Sequence, residues 1–219
     1  MAYFEELPDI SYVSLLPNSS RNDDRIKVKN IFKRAKLRSD MDQVVTAFEY
    51  YQISENTRPD VLAEELYGDP ELDWVILITN NITNVRDQWP LSNNDLYTYC
   101  LEKYGSDAGI QLTHHWETQE IKDKYNRTIL TGGLEVDENF SFTYAKDDYS
   151  SVTVSPAQSV SNYDYEQKQN EEKRRIKILK REYIPVFMTD MRNMMRYGRS
   201  SQYIDRTLKV SYNPKENGV

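Results

Sequence analysis

Residues 57–82 carry the strongest folding instruction in the chain. Thr57 with Asp60 three residues on is a capping-box variant, and Pro59 falls in the first turn, where its missing N–H costs nothing. Val61, Leu62 and Leu66 give this predicted helix an inward stripe, and Gly68 reads as a left-handed stop. Asp69 caps a second helix at once, with Pro70 at its first position and Glu71 and Asp73 suiting the dipole. Trp74-Val75-Ile76-Leu77-Ile78 is apolar all round, so the second helix must be the most buried element. Thr79-Asn80-Asn81 ends it. The preceding run Val44–Ile53 is rich in β-branched and aromatic residues and predicts a strand. A strand and two short helices, capped back to back, specify a small folded centre.

The flanks carry weaker signals. Residues 1–24 read as an irregular arm. Arg25–Leu37 alternates and predicts a strand with its basic residues on the wet face. Asp40–Asp42 predicts a turn. Trp89-Pro90-Leu91 is a stiff connector. Ser92 with Asp95 caps a third helix, which Gly105 ends, with Leu96, Tyr99, Cys100 and Tyr104 inward. Short alternating runs between residues 106 and 160 predict a small antiparallel β region with a loose loop. Ser161 with Asp164 caps a fourth helix. Its stretch Tyr163–Lys173 is almost wholly polar, so solvent or another chain should complete it. Ile176 and Leu179 restore an apolar edge, and Pro185 breaks or restarts the helix. Phe187, Met188, Met191, Met194 and Met195 fall on one helical stripe, stopped at Gly198. That stripe is either core or a docking face; the polar helix before it and the adaptability of Met favour docking. Leu208, Val210 and Tyr212 alternate as one last strand.

Charge is unevenly placed. The 219 residues carry 28 basic and 35 acidic side chains, a net −7. Residues 21–38 hold eight basic residues and two acids, whereas residues 53–73 hold seven acids and only Arg58. The basic strip, including Lys27, Lys29, Lys33 and Arg34, could pair with the acidic stretch within the molecule or head to tail between copies, or stand as a solvated strand face. An acidic overall balance without a recognition-helix signature argues against nucleic acid. Hydrophobic residues make up only 38%, which fits a modest core with arms that find burial on partners. The longest apolar run, Trp74–Ile78, is far below the roughly 20 residues of a membrane span. Met1–Glu6 lacks the basic and apolar regions of a secretory signal. A lone cysteine, Cys100, fits a reducing compartment.

Catalysis, cofactors and metals are not expected. His114 and His115 are adjacent on a predicted strand and should point to opposite faces, so they should not share one ion. Cys100 lies on the inner face of an amphipathic helix, where a small buried hydrophobe is the ordinary role. Asp23-Asp24 and Asp147-Asp148 sit in polar loops, without the apolar pocket that raises an acid's pKa. Phosphate-binding and nucleophile-elbow motifs are absent from the sequence.

Tyr51–Ile82 resembles a lysin-motif (LysM) domain, a small β-α-α-β unit that in many proteins binds peptidoglycan. Tyr51-Gln52-Ile53 stands for the first strand, Leu62-Ala63 for the helical I-A pair, Tyr67-Gly68-Asp69 for the turn and Asn81-Ile82 for the end. Asn56-Thr57-Arg58 replaces the family's G-D-T in a groove wall, which argues against glycan binding. The longer run Arg58–Trp74 continues to Asn80-Asn81-Ile82 and Asp87-Gln88-Trp89-Pro90-Leu91-Ser92. With Met1-Ala2-Tyr3-Phe4, Ile26–Phe32 and Asn170–Tyr183, it is similar to the LysM-like baseplate wedge proteins of contractile-tailed bacteriophages. The resemblance implies a non-catalytic structural subunit of the virion tail, present once per wedge and in six copies per baseplate. Such a subunit assembles in the host cytoplasm and joins neighbouring wedges around the hub. The alternative is a glycan-binding LysM module.

The expected fold is therefore α+β: a LysM-like β-α-α core with an added helix, a small antiparallel β region, and extended terminal arms. The expected segments are 1–45, 46–105, 106–160 and 161–219. Lys27, Lys29, Lys33, Arg34, Phe187, Met188, Met191, Met194 and Met195 are the expected partner-binding residues.

Overall fold

The computed structural model describes residues 2–14, 25–39, 45–145 and 150–211. The architecture is α+β. The chain divides into two compact units, 1–89 with 175–219, and 90–174. The second unit is thus an insertion into the first. The expected segments cut across this division: 46–105 spans the boundary at Trp89, and 161–219 the one at Arg174.

The first unit opens with a 3-10 turn, Tyr3–Glu6, then β1 (Asp9–Val13) and β2 (Arg25–Lys29), paired antiparallel with Ser11 opposite Lys27. Leu7 and Val13 are buried. Residues 2–14 are therefore part of a folded unit and not the irregular arm expected there; residues 15–24 lie outside the described segments. β2 is shorter than the predicted strand, because a turn at Ile31-Phe32 ends it. β3 (Phe48–Gln52) covers the later part of the predicted Val44–Ile53 strand, behind a 3-10 turn at Val45–Ala47. The expected turn at Asp40–Asp42 lies outside the described residues.

The two short helices follow. α1 (Pro59–Tyr67) starts at Arg58 without a side-chain cap, so Thr57 does not play the expected role. Leu62, Ala63 and Tyr67 are its buried residues, while Val61 is 54% exposed and leaves the predicted stripe. Gly68 ends it at φ 72°, its N–H bonded to the Glu64 carbonyl. Asp69 accepts from the Glu71 N–H in the tight turn Pro70–Leu72, which leads into α2 (Asp73–Thr79). Trp74, Val75, Ile76 and Ile78 are buried, as an all-apolar helix requires. A short α3 (Val85–Gln88) follows. Trp89 is buried and donates from Nε1 to the Thr57 carbonyl at 2.8 Å, pinning the loop before α1.

The second unit begins with α4 (Asn93–Tyr104), capped by Ser92 and ended by Gly105 at φ 81°. Leu96 and Cys100 are buried, but Tyr99 is exposed. After α5 (Asp107–Ile110), the strand β4 (Thr113–Thr118) precedes the narrow hairpin β5 (Ile121–Lys122) and β6 (Thr128–Leu130). Then come β7 (Glu135–Val136), the hairpin β8 (Phe142–Ala145) and β9 (Ser151–Val154), and β10 (Ala157–Ser161). β4 is the centre of a sheet ordered β10-β4-β7.

The unit closes with α6 (Asn162–Arg174), capped by Ser161, whose Oγ accepts from the Asp164 N–H at 3.1 Å. This helix is polar, yet Asn162, Glu166, Asn170 and Arg174 are buried along one face at four-residue spacing. Asn162 donates to the Gly109 carbonyl at 2.8 Å. Glu166 accepts from Lys103 Nζ at 2.6 Å and from the Tyr104 hydroxyl at 2.9 Å. The Asn170 amide both accepts from the Leu91 N–H and donates to its carbonyl. Hydrogen bonding within the unit thus satisfies a face that hydrophobic patterning reads as unburiable, and no second chain is needed to cover it.

The chain returns to the first unit as β11 (Arg175–Leu179), a strand and not the continued helix expected there. It pairs antiparallel with β3, Lys177 opposite Tyr50, completing a β-α-α-β order around the insertion. α7 (Ile184–Met195) carries Pro185 in its first turn, so the proline starts this helix. β12 (Leu208–Val210) then pairs parallel with β1, giving the order β12-β1-β2; Tyr212 lies outside the described residues.

Candidate partner-binding surface

The structure spreads the expected contact residues over three situations. Phe187, Met188 and Met195 are at most 7% exposed, and Met191 is fully buried, in the core of the first unit. Phe187 packs against Trp74 with ring centroids 5.8 Å apart. The docking stripe is therefore corrected to core. Helix α7 lies on the same hydrophobic cluster as α2 and β11, which sequence distance had hidden. Only Met194, at 39% exposure, faces solvent.

Most of the basic strip is used within the chain. Lys29 donates to the Leu7 carbonyl at 2.9 Å and to the Glu5 carbonyl at 3.2 Å, and pairs with Asp9. Lys33 donates to the carbonyls of Met195 and Arg196 at 3.0 and 2.9 Å, with Met194 at 3.4 Å, capping the end of α7. An ammonium belongs there, because the last turn of a helix presents unpaired carbonyls and the negative end of its dipole. Burial, with Lys209 nearby, lowers the Lys33 pKa. Arg34 donates to the Asn81 side chain at 3.2 Å. Lys27 keeps an exposed side chain.

These anchors hold a turn that the strand prediction missed. Asn30 is 5% exposed. Its N–H donates to the Pro8 carbonyl, its amide donates to the Tyr197 hydroxyl at 2.8 Å, and its Oδ1 accepts from the Phe32 N–H. The Lys33 N–H closes the turn on the Asn30 carbonyl at 3.2 Å. Ile31 is left 67% exposed and Phe32 91%. An Asn two residues before the Phe was the available signal, since Asn side chains build such turns.

The histidine pair also differs from its expectation. β10 meets β4 with Val160 opposite His115 but Ser161 opposite Thr113, so His114 is the extra residue of a bulge. A bulge re-aims its side chain. The two Nδ1 atoms lie 2.8 Å apart, and His114 stacks on Tyr165 at 4.0 Å between centroids. His115 Nε2 bonds Glu117, which also accepts from Lys168 at 2.8 Å and is held below the usual carboxylate range by these bonds. Among the described residues there is no group of three His, Cys, Asp or Glu side chains able to hold a metal. Burial pushes the Cys100 thiol up, away from nucleophilic character. In the glycan-binding alternative Asn80 would line the groove with Asn56 and Arg58, but its amide is spent on the backbone of Ile76 and Lys177.

The geometry of the Ile31-Phe32 turn is thus one of fastened backbone and outward apolar side chains. The profile of the base plate wedge protein 53 family matches residues 3–195, which span both units. The chain belongs to that family. It is also 30% identical over 149 residues to baseplate wedge protein gp53 of Enterobacteria phage T4, covering 66% of this chain and 72% of the relative. For a member of this family, the surface that matters is one that other subunits can grip, and the Ile31-Phe32 turn is among the most exposed apolar features on the described chain.

Proposed function

We propose that this chain is a non-catalytic structural subunit of the baseplate wedge in a contractile phage tail. It joins neighbouring wedges into the ring around the hub, with one copy per wedge and six per baseplate. The observation that carries the reading is the family match across residues 3–195, supported by the T4 relative named as a baseplate wedge protein. It assembles in the host cytoplasm and ends in the virion tail, without binding nucleic acid or membrane. Lys27 and Met194 keep exposed side chains and remain proposed contacts; Lys29, Lys33 and Arg34 contribute by positioning the turn between them. The β-α-α-β order of the first unit supports a LysM-like core. Glycan binding is the weaker reading, because the Asn80 amide is already occupied. Disrupting the gene and examining the tails tests the proposal. Loss of complete baseplates, restored by the intact chain, supports it; normal tails without the protein refute it.

A further inference from the structure

We propose that the Ile31-Phe32 turn is a preformed anchor that seats in an apolar pocket rimmed by carboxylates on a different wedge subunit. The inference rests on the wedge reading and names the partner surface it needs. Single exposed apolar side chains are ordinary on protein surfaces. This pair is not ordinary, because the chain fixes it from both sides. Asn30 is buried and bonded through its N–H and both side-chain amide atoms, and Lys33 is threaded into the carbonyls ending α7. Directly after it, Ala35 and Leu37 turn into the core. The two large apolar side chains of the turn are thus held outward by a backbone fastened on both sides. Anchors of this kind lose little freedom on docking, and aromatic anchors dominate many interfaces.

Charge identifies the pocket. Residues 25–38 hold seven basic side chains and no acid. Lys27, Arg34 and Lys36 are exposed around the anchor in sequence, so carboxylates would complement its rim. A second copy of this chain, offering its acidic stretch 53–73, is the competing occupant that crosslinking separates. One open cleft of the first unit, about 580 Å³, counts Leu66, Ile178 and Leu179 among its lining. Its charged lining sets Glu49 and Glu182 against Lys180 and Arg181, so it offers a basic rim no net attraction.

The test uses wedges assembled from the same phage's other subunits without this chain, to which fluorescently labelled full-length protein is added. Wild-type protein should bind, and Phe32→Asp and Ile31→Asp should each bind at least tenfold more weakly while melting as the wild type does. A photo-crosslinking residue at position 32 should attach to a different subunit, near acidic residues. Wild-type affinity in both variants, or crosslinking to a second copy of this chain, overturns the anchor and leaves the wedge reading intact. Failure of the wild type itself to bind overturns the wedge reading and the anchor with it.

Discussion

The side-chain amide of Asn80 hydrogen-bonds both backbone groups of Lys177, donating to its carbonyl and accepting from its N–H, each at 2.8 Å. The residue that ends α2 thereby acts as a short strand beside β11. It fastens the returning chain at a point 97 residues further on, beyond the inserted unit. Asn80 also donates to the Ile76 carbonyl, so one amide closes the helix and registers the strand.

Asn80→Ala should therefore destabilise the first unit by about 2–4 kcal/mol, because both partly buried backbone groups of Lys177 lose their bonds to the amide. Urea denaturation followed by tryptophan fluorescence measures this, Trp74 and Trp89 being buried in that unit. A loss below about 0.5 kcal/mol, typical of an ordinary surface change, would contradict the clamp.

The helical stripe gives a second outcome. Met191→Ala should cost about 2–5 kcal/mol of the isolated protein's stability, since the side chain is fully buried. Met194→Ala, on the exposed side, should stay within about 0.5 kcal/mol. Equal, small effects at both positions would restore the docking reading of the stripe.

These residues also show what the sequence could and could not reveal. The two short helices were legible because Gly68, Asp69-Pro70 and Trp74–Ile78 act locally, whereas the cap expected at Thr57 is not made. The alternating runs after residue 112 were legible for the same reason. The α7 stripe showed its periodicity, but periodicity does not say whose surface it meets. The burial of α6 was hidden because Asn162, Glu166, Asn170 and Arg174 hydrogen-bond to residues far along the chain. The histidine geometry depends on a bulge against β10, which adjacency in sequence cannot disclose. The wedge identity was legible through resemblance, whereas the exposed turn at Phe32 required the fold.

The polar face of α6 makes a third prediction. Asn170→Leu should destabilise the second unit by about 1–3 kcal/mol despite its greater apolarity, because the Leu91 N–H loses its partner and the Leu91 carbonyl keeps only the Arg174 guanidinium. Hydrogen exchange at the Leu91 amide should accelerate. Unchanged protection there would show that the bond carries no stability.

Acid should loosen the N-terminal segment. Arg192 hydrogen-bonds Glu6 through Nε and Nη2 at 2.7 and 2.6 Å, and this bond holds the Glu6 carboxyl below its ordinary value against the effect of burial. A lowered folded pKa gives stability that is fully present above the unfolded value, about 4.3, and is lost as pH falls through the folded one. Wild-type protein should melt higher than Arg192→Gln at pH 7, and the gap should shrink as pH falls below 4. A gap that is constant with pH would rule out this linkage.

Quantitative mass spectrometry of purified virions tests the central claim most directly. The wedge reading predicts peptides from both units of this chain in the tail baseplate, at one copy per wedge. Infected cells that contain the protein while complete, infectious virions lack it would contradict that reading.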